Sequence, residues 1–458
     1  MKRNHRTLRA IAYLLLIAML TLPLLTSCVI YERTISRTEI NELGELVIHY
    51  SDGSSENLGV VKGADGQEGA PGIPGEDGAQ GAGGEDGAKG DPGEPGENGQ
   101  DGQDGVITIV PESESIALAS AKGLRSAVSI YCASSATSSS YSSAGSGVIW
   151  KLDRNTGDAL IITNHHVVYS RYSTNANKIS ENIKVYLYGA EYAAYGIEAE
   201  YVGGSMYYDI AVLSVTGSEL LRNSDAAAVT VSDSEKLGVG AQAIAVGNPA
   251  AMGLSASLGI VSVDSEQIEM TAVDGRTQIK LRVMRIDTAV NSGNSGGGLY
   301  NSAGELVGIV NAKISSSSIE NIAYAIPSNL AIAVAQNIVD HCLGTATQTL
   351  MRATLGITVG VLDSHGAYDA TTGQIKTVEK VAIQKVEENS AAYGILQAND
   401  VLLSGTLGEK TVTVTRSYHA LDLLLEARAG DTVTFRILRG EEEMAVSITI
   451  SSENMVAY

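Results

Sequence analysis

Glycine recurs at every third position from Gly63 to Gly105, fifteen in register without a break. Only glycine fits the crowded axis around which three polyproline-II strands wind. The period therefore selects a collagen triple helix, which one chain cannot form alone. Pairs such as Ala70-Pro71, Ile73-Pro74, Asp91-Pro92 and Glu94-Pro95 suit that conformation. The alternative is a flexible Gly-rich tether, which needs no unbroken period. Four prolines and a mostly acidic charge predict marginal winding. Wound, its 43 residues at about 3 Å each would form a rod of roughly 130 Å.

At 458 residues the chain is long enough for two or three domains. Its 31 basic and 52 acidic residues give a net charge of −21. Such a surface repels nucleic acid and anionic head groups, so no nucleic-acid partner is expected. The N-terminus reads as an export signal. Lys2, Arg3, Arg6 and Arg9 precede an apolar run from Ala10 to Leu25, broken by Pro23 and short for a membrane span. The run ends in Leu25-Thr26-Ser27-Cys28, which resembles the bacterial lipoprotein cleavage box. That resemblance implies removal of residues 1–27 and a lipid on Cys28. An uncleaved anchor is the alternative, and either reading places the protein outside the cytoplasm, tethered to a bacterial membrane. Cys132 and Cys342 remain, as a disulfide stapling the ends of one domain or as two buried thiols. No Cys/His spacing suggests a metal site.

Three segments carry the chemistry, in the order His, Asp, Ser. His166 lies in Thr163-Asn164-His165-His166-Val167-Val168, Asp209 in Tyr208-Asp209-Ile210-Ala211-Val212-Leu213, and Ser295 in Gly293-Asn294-Ser295-Gly296-Gly297. A serine hydroxyl is a poor nucleophile at neutral pH. It needs an imidazole to take its proton and a carboxylate to hold that imidazole in the right tautomer. The chain order is that of the chymotrypsin-like arrangement. The spacing puts His and Asp in one β-barrel and Ser in a second. The glycines let the backbone turn tightly, aiming the N–H groups of Gly293 and Ser295 at a developing oxyanion.

By these residues the chain resembles the HtrA/Deg family of trypsin-like serine proteases, over residues from about 121 to 450. Gly145-Ser146-Gly147-Val148-Ile149, Ala245-Val246-Gly247-Asn248-Pro249, Ser257-Leu258-Gly259-Ile260-Val261-Ser262, Ile286-Asp287-Thr288-Ala289-Val290-Asn291 and Ala325-Ile326-Pro327-Ser328-Asn329 extend the likeness. The departures are His165, where the family usually has Asn, and Ser292 and Gly298, where Pro is common. They bear on the specificity pocket and remove no catalytic group. The resemblance implies unfolded or damaged proteins as substrates, cleavage after small aliphatic residues, no cofactor and a homotrimer.

The expected organisation is a signal peptide (1–27), an N-terminal extension with a β-hairpin (28–62), the collagen-like stalk (63–105), a linker (106–120), the protease domain (121–346) and a PDZ domain (347–458). In the extension, residues 45–61 read as two strands around Asp52-Gly53. The protease domain shows short strands between Gly, Ser and Asn turns, the pattern of an all-β double barrel. A Ser-rich loop spans 134–143, and a helix after Pro327 places Leu330, Val334 and Ile338 on one face. The last hundred residues resemble an α+β PDZ domain. Leu355-Gly356-Ile357 looks like its carboxylate-binding loop, and a helix near Tyr418 to Leu425 looks like one wall of its groove. Such a groove binds an extended peptide by strand addition. The fold class expected is mainly β, and the function that of an exported, lipid-anchored serine endopeptidase. A peptide-binding or chaperone-like scaffold with a resting protease core is the alternative.

Overall fold

A computed structural model describes residues 35–41, 45–51, 53–60, 112–133, 143–190, 196–311 and 322–458. Cys28, the Gly-x-y segment, the start of the expected linker (106–111) and the Ser-rich loop from Ser134 lie outside these residues. The chain divides into two compact units, residues 1–108 and 109–458.

In the first unit the expected hairpin is present as β2 (Glu45–Tyr50) and β3 (Ser55–Val60). A preceding strand, β1 (Ile35–Ile40), pairs antiparallel with β2 and completes a three-stranded sheet. Two strands alone are marginal in water, and the third adds the pairing the hairpin lacks.

The second unit begins with a difference from expectation. Residues 112–120, read as linker, are the first part of a 15-residue helix, α1 (Glu112–Ser126). Its inward face is small: Ala119 is buried, and Ile116 and Leu124 pack partly on the core. Ser126 Oγ lies 2.8 Å from the buried Tyr300 hydroxyl, and Lys122 Nζ donates to Ala303 O at 2.8 Å. A helix that docks through Ala and Ser carries little hydrophobic signal in sequence.

Two closed antiparallel barrels follow. The first runs β4 (Ala127–Ala133), β5 (Ser143–Asp153) and β6 (Asp158–Thr163). After the four-residue helix α2 (His165–Val168) come β7 (Asn182–Leu187), β8 (Ile197–Ser205) and β9 (Ile210–Val215). Its strand order is β4-β5-β6-β9-β8-β7. Val128, Ile130, Ile149, Ile161, Val185 and Leu213 fill it. A short helix α3 (Glu219–Asn223) leads out, N-capped by Ser218, whose hydroxyl accepts from Leu221 N. The second barrel comprises β10 (Gln242–Gly247), β11 (Ser255–Thr271), β12 (Gln278–Ile286), β13 (Gly298–Tyr300), β14 (Leu306–Asn311) and β15 (Ala323–Pro327), in the order β10-β11-β12-β15-β14-β13. Closure leaves neither barrel an unpaired edge.

Helix α4 (Ser328–Cys342) begins after Pro327 as expected. Leu330, Ala331, Val334, Ala335 and Ile338 are buried at helical spacing, against β8, β9 and β14, so the helix braces both barrels. Cys132 and Cys342 are both buried free thiols, so the disulfide alternative does not hold. Burial raises both, Cys132 to about 12 and Cys342 to about 11, so neither ionises near neutral pH.

The remaining residues form an α+β domain. A two-stranded sheet joins β16 (Met351–Ala353) to β23 (Met455–Ala457). The main sheet has the order β17 (Ile357–Asp369), β18 (Gln374–Val386), β19 (Val401–Leu407), β21 (Thr432–Arg439), β22 (Glu442–Thr449), with β20 (Lys410–Thr413) on β19 and a helix α5 (His419–Glu426) between β20 and β21. This domain is docked on the barrels. Asn337 of α4 is fully buried, donating to Met351 O at 2.6 Å and Leu425 O at 2.8 Å and accepting from Met351 N. Arg282 of β12, only 5 % exposed, bonds Glu235 and Asp422 and lies 3.5 Å under the Tyr418 ring. Tyr418, expected beside a peptide groove, is thus buried at the contact with the protease barrels.

Candidate active site

His166 and Asp209 meet beside the second barrel, and the Ser295 segment is tied to theirs through Ser146. His166 sits in α2, at the end of β6. Asp209 follows the turn after β8 and is 4 % exposed. Its backbone is left-handed, φ +50°, a conformation uncommon for a residue with a Cβ. Five hydrogen bonds hold it there. Its carbonyl accepts from Asn164 Nδ2 at 2.9 Å and His165 N at 3.2 Å. Oδ1 accepts from His166 N at 2.9 Å, and Oδ2 from Asn311 Nδ2 at 2.9 Å. Oδ2 also lies 2.6 Å from His166 Nδ1.

Burial by itself would raise the Asp209 carboxyl. The charge of His166 and its two hydrogen bonds, with His165 adding to them, hold it below the usual carboxylate range. A carboxylate with an imidazole nitrogen at this distance fixes the proton on Nδ1. Nε2 keeps its lone pair for a hydroxyl proton.

Ser146 ties the serine loop to this arrangement. Its hydroxyl donates to Gly293 O at 2.7 Å and accepts from Asn248 N at 2.8 Å. Its N–H donates to Ser295 O at 2.8 Å, and its carbonyl accepts from Thr163 Oγ1 at 2.7 Å, three residues before His166. One fully buried residue therefore couples the segments of Ser295 and His166. Gly293 has φ +99°, and a Cβ there would lie 2.2 Å from Asn248 O, so only glycine fits. The Ser292 carbonyl just before it accepts from Ala250 N at 2.7 Å.

His165 plays a different part from His166. It is 7 % exposed, and burial lowers it from 6.5 to about 4, with Asp209 opposing and His166 adding to the shift. It is a neutral packing residue. Ser146, Asn164 and Asn311 were not singled out in sequence. The first two lie inside motifs that were. Asn311, at the end of β14, had no signal beyond its place in a run of apolar residues.

In the last domain Leu355 is buried and Gly356 has φ +69°, where a Cβ would meet the Ser390 side chain at 2.2 Å. Gly356 O accepts from Glu387 N and Leu355 O from Ala392 N, at 2.8 and 3.1 Å. This loop feeds β17, the end strand of its sheet. Among the described residues no cluster of His, Cys, Asp and Glu could hold a metal ion.

Residues 145–309 match the trypsin-like peptidase domain, and residues 59–108 match the collagen triple helix repeat. The chain is 32% identical over 337 residues to the serine protease Do-like HtrA of Bacillus subtilis (strain 168), covering 71% of this chain and 68% of that protein. The chain belongs to the HtrA family of serine proteases. A second relative, the serine protease Do-like HtrA of Lactococcus lactis subsp. lactis (strain IL1403), is 32% identical over 70% of this chain and 75% of its own. Among solved structures, the HtrA-type protease AlgW with tripeptide aligns over 76% of this chain and 98% of its own, at 23% identity and a TM-score of 0.49. As an HtrA-like chain with a trypsin-like peptidase domain, the protein is a serine endopeptidase, carrying a collagen-like repeat ahead of its barrels.

Proposed function

We propose that this HtrA protease is exported, lipid-anchored through Cys28, and cleaves unfolded or damaged proteins with a triad of His166, Asp209 and Ser295. The observation that carries the reading is the 2.6 Å approach of Asp209 Oδ2 to His166 Nδ1, with Asn311 holding the same oxygen. In this reading Ser295 Oγ attacks the peptide carbonyl while His166 Nε2 takes its proton. His166 then gives that proton to the leaving amine. The N–H groups of Gly293 and Ser295 stabilise the oxyanion, where preorganised donors count most.

The C-terminal domain acts in this reading as a PDZ domain. Leu355, Gly356 and Ile357 receive a peptide carboxylate, and the outer edge of β17 accepts the peptide as an added strand. The end position of β17 in its sheet supports this. Three wound Gly-x-y segments would hold a trimeric head away from the membrane, with Cys28 as the lipidated anchor.

The test is cleavage of unfolded casein by the purified mature chain, with phosphonate labelling of Ser295. Degradation lost in Ser295→Ala supports the protease reading. Suppressed casein aggregation without cleavage in the unaltered chain would favour a holding scaffold instead. A mature N-terminus lacking lipid at Cys28 would remove the anchor from the proposal. Equal affinity for acid and amidated peptides would remove the carboxylate site.

A further inference from the structure

The left-handed backbone of Asp209 sits directly after a surface turn, Met206–Tyr208, that the protease barrels cover only in part. A conformation of this kind is uncommon for a residue with a Cβ and persists only where the surroundings over-determine it. Behind Asp209 the hydrogen bonds of Asn164, His165, His166 and Asn311 supply that constraint. In front of it, the constraint comes from the C-terminal domain.

Tyr458 stacks on Tyr207, with ring centroids 4.4 Å apart and planes at 31°, and meets the Tyr208 ring at 5.6 Å. The guanidinium of Arg352 lies 3.7 Å from the centre of the Tyr458 ring, and Nη1 donates to the Tyr208 hydroxyl at 3.0 Å. The two clamp residues are neighbours through the sheet that carries them. Arg352 is in β16, paired with β23, and Tyr458 N donates to Leu350 O at 2.8 Å. The strand leading into β16 is itself tied to β8. Gly204 N donates to Gln348 O at 3.2 Å, and Gly204 bridges Thr349 in parallel. One turn is thus gripped at both of its tyrosines by groups from more than a hundred residues away.

We propose that Arg352 and Tyr458 are positioning residues for the catalytic carboxylate: by holding Tyr207 and Tyr208 they fix the turn that delivers Asp209 to His166. This rests on the triad reading above. The contacts that reach the turn are the Tyr458 ring on Tyr207 and Tyr208 and the charged donor on the Tyr208 phenol, while the cation over the Tyr458 ring braces the two clamp residues against each other. The clamp makes the catalytic geometry depend on the docking of the C-terminal domain. Thr354 and Leu355, which continue from β16 into the Leu355-Gly356-Ile357 loop, place the expected peptide site next to it in sequence.

The experiment compares the full chain with Tyr458→Ala, Tyr458→Phe and Arg352→Ala. Two readouts are taken on each, well below its melting temperature. The first is kcat and KM on a casein-derived peptide. The second is the downfield proton resonance of His166 Nδ1–H, assigned by its loss in His166→Ala. Misplacing a catalytic group by a fraction of an ångström costs roughly ten- to a hundredfold. Tyr458→Ala and Arg352→Ala should therefore lower kcat by about that factor with KM within about twofold. They should also move the Nδ1–H resonance upfield. Tyr458→Phe should restore both. A lower melting temperature in the alanine variants, with kcat and resonance as in the unaltered chain, would overturn the proposal and leave the cluster as domain glue. Should the unaltered chain show the resonance yet cleave nothing, the protease reading fails, while the resonance in Tyr458→Ala still decides the clamp.

Discussion

Asp209 Oδ2 lies 2.6 Å from His166 Nδ1, and the same oxygen accepts from Asn311 at 2.9 Å. The carboxylate that orients the imidazole is thus itself oriented from the second barrel, across the cleft in which chemistry is proposed. Rotation of one barrel against the other would loosen the hold on the His166 ring as well as move the Ser295 segment.

Removing a member of the triad should abolish cleavage without unfolding the chain. Ser295→Ala and His166→Ala are expected to lower kcat by about 10⁴ or more, and Asp209→Asn by about 10⁴ through the wrong tautomer. His165→Ala should be far milder, because that ring packs rather than transfers protons. Peptide turnover measured beside circular dichroism checks this. Greater damage from His165→Ala than from His166→Ala would reverse the assignment of the base.

Stability should fall on acidification, partly through His165. Its value is near 6.5 unfolded and about 4 folded, so the unfolded chain takes up the proton first. The contribution is fully present above pH 6.5 and is lost as pH falls towards 4, by about 3 kcal/mol. Asp209, held low in the folded state, acts in the same direction, its contribution disappearing as the carboxylate is protonated. His165→Asn should flatten the urea-midpoint curve between pH 6.5 and 4. A curve of unchanged slope would refute the assignment.

Arg282→Ala should loosen the C-terminal domain from the barrels. It strands Asp422 and Glu235 and removes the cation beneath Tyr418. Breaking a buried pair costs about 3–5 kcal/mol, and the partial exposure of both carboxylates argues for the lower end, about 3 kcal/mol. Calorimetry should show the domain melting separately from the barrels. A single, unshifted transition would show that the apolar and Asn337 contacts suffice.

If the stalk is wound, Gly84→Asp should lower its own melting transition and leave proteolysis nearly unchanged. A side chain at the crowded axis disrupts the triple helix locally, whereas the barrels have separate cores. The circular-dichroism melt of the full chain, read beside casein turnover, checks it. No cooperative stalk transition in the unaltered protein would mean a flexible tether.

Much of this architecture is legible in the chain because it is periodic or local. The glycine period, the short strands between Gly, Ser and Asn turns, the helix after Pro327 and the three segments expected to carry the chemistry each show within a short window of sequence. What tertiary structure alone decides depends on pairs far apart. Arg282 follows Lys280 on the outward positions of an alternating strand and reads as solvated; α5 of another domain buries it. Helix α1 docks through Ala119 and Ser126, which carry almost no hydrophobic signal. Asn311 meets Asp209 across 102 residues, and Arg352 and Tyr458 reach its turn from farther still. Residue type and spacing state which groups could react. The left-handed φ of Asp209, and so the aim of its carboxylate, is held by hydrogen bonds from Asn164, His165, His166 and Asn311, which exist only once the two barrels are packed together, because all four partners lie more than forty residues away in the chain.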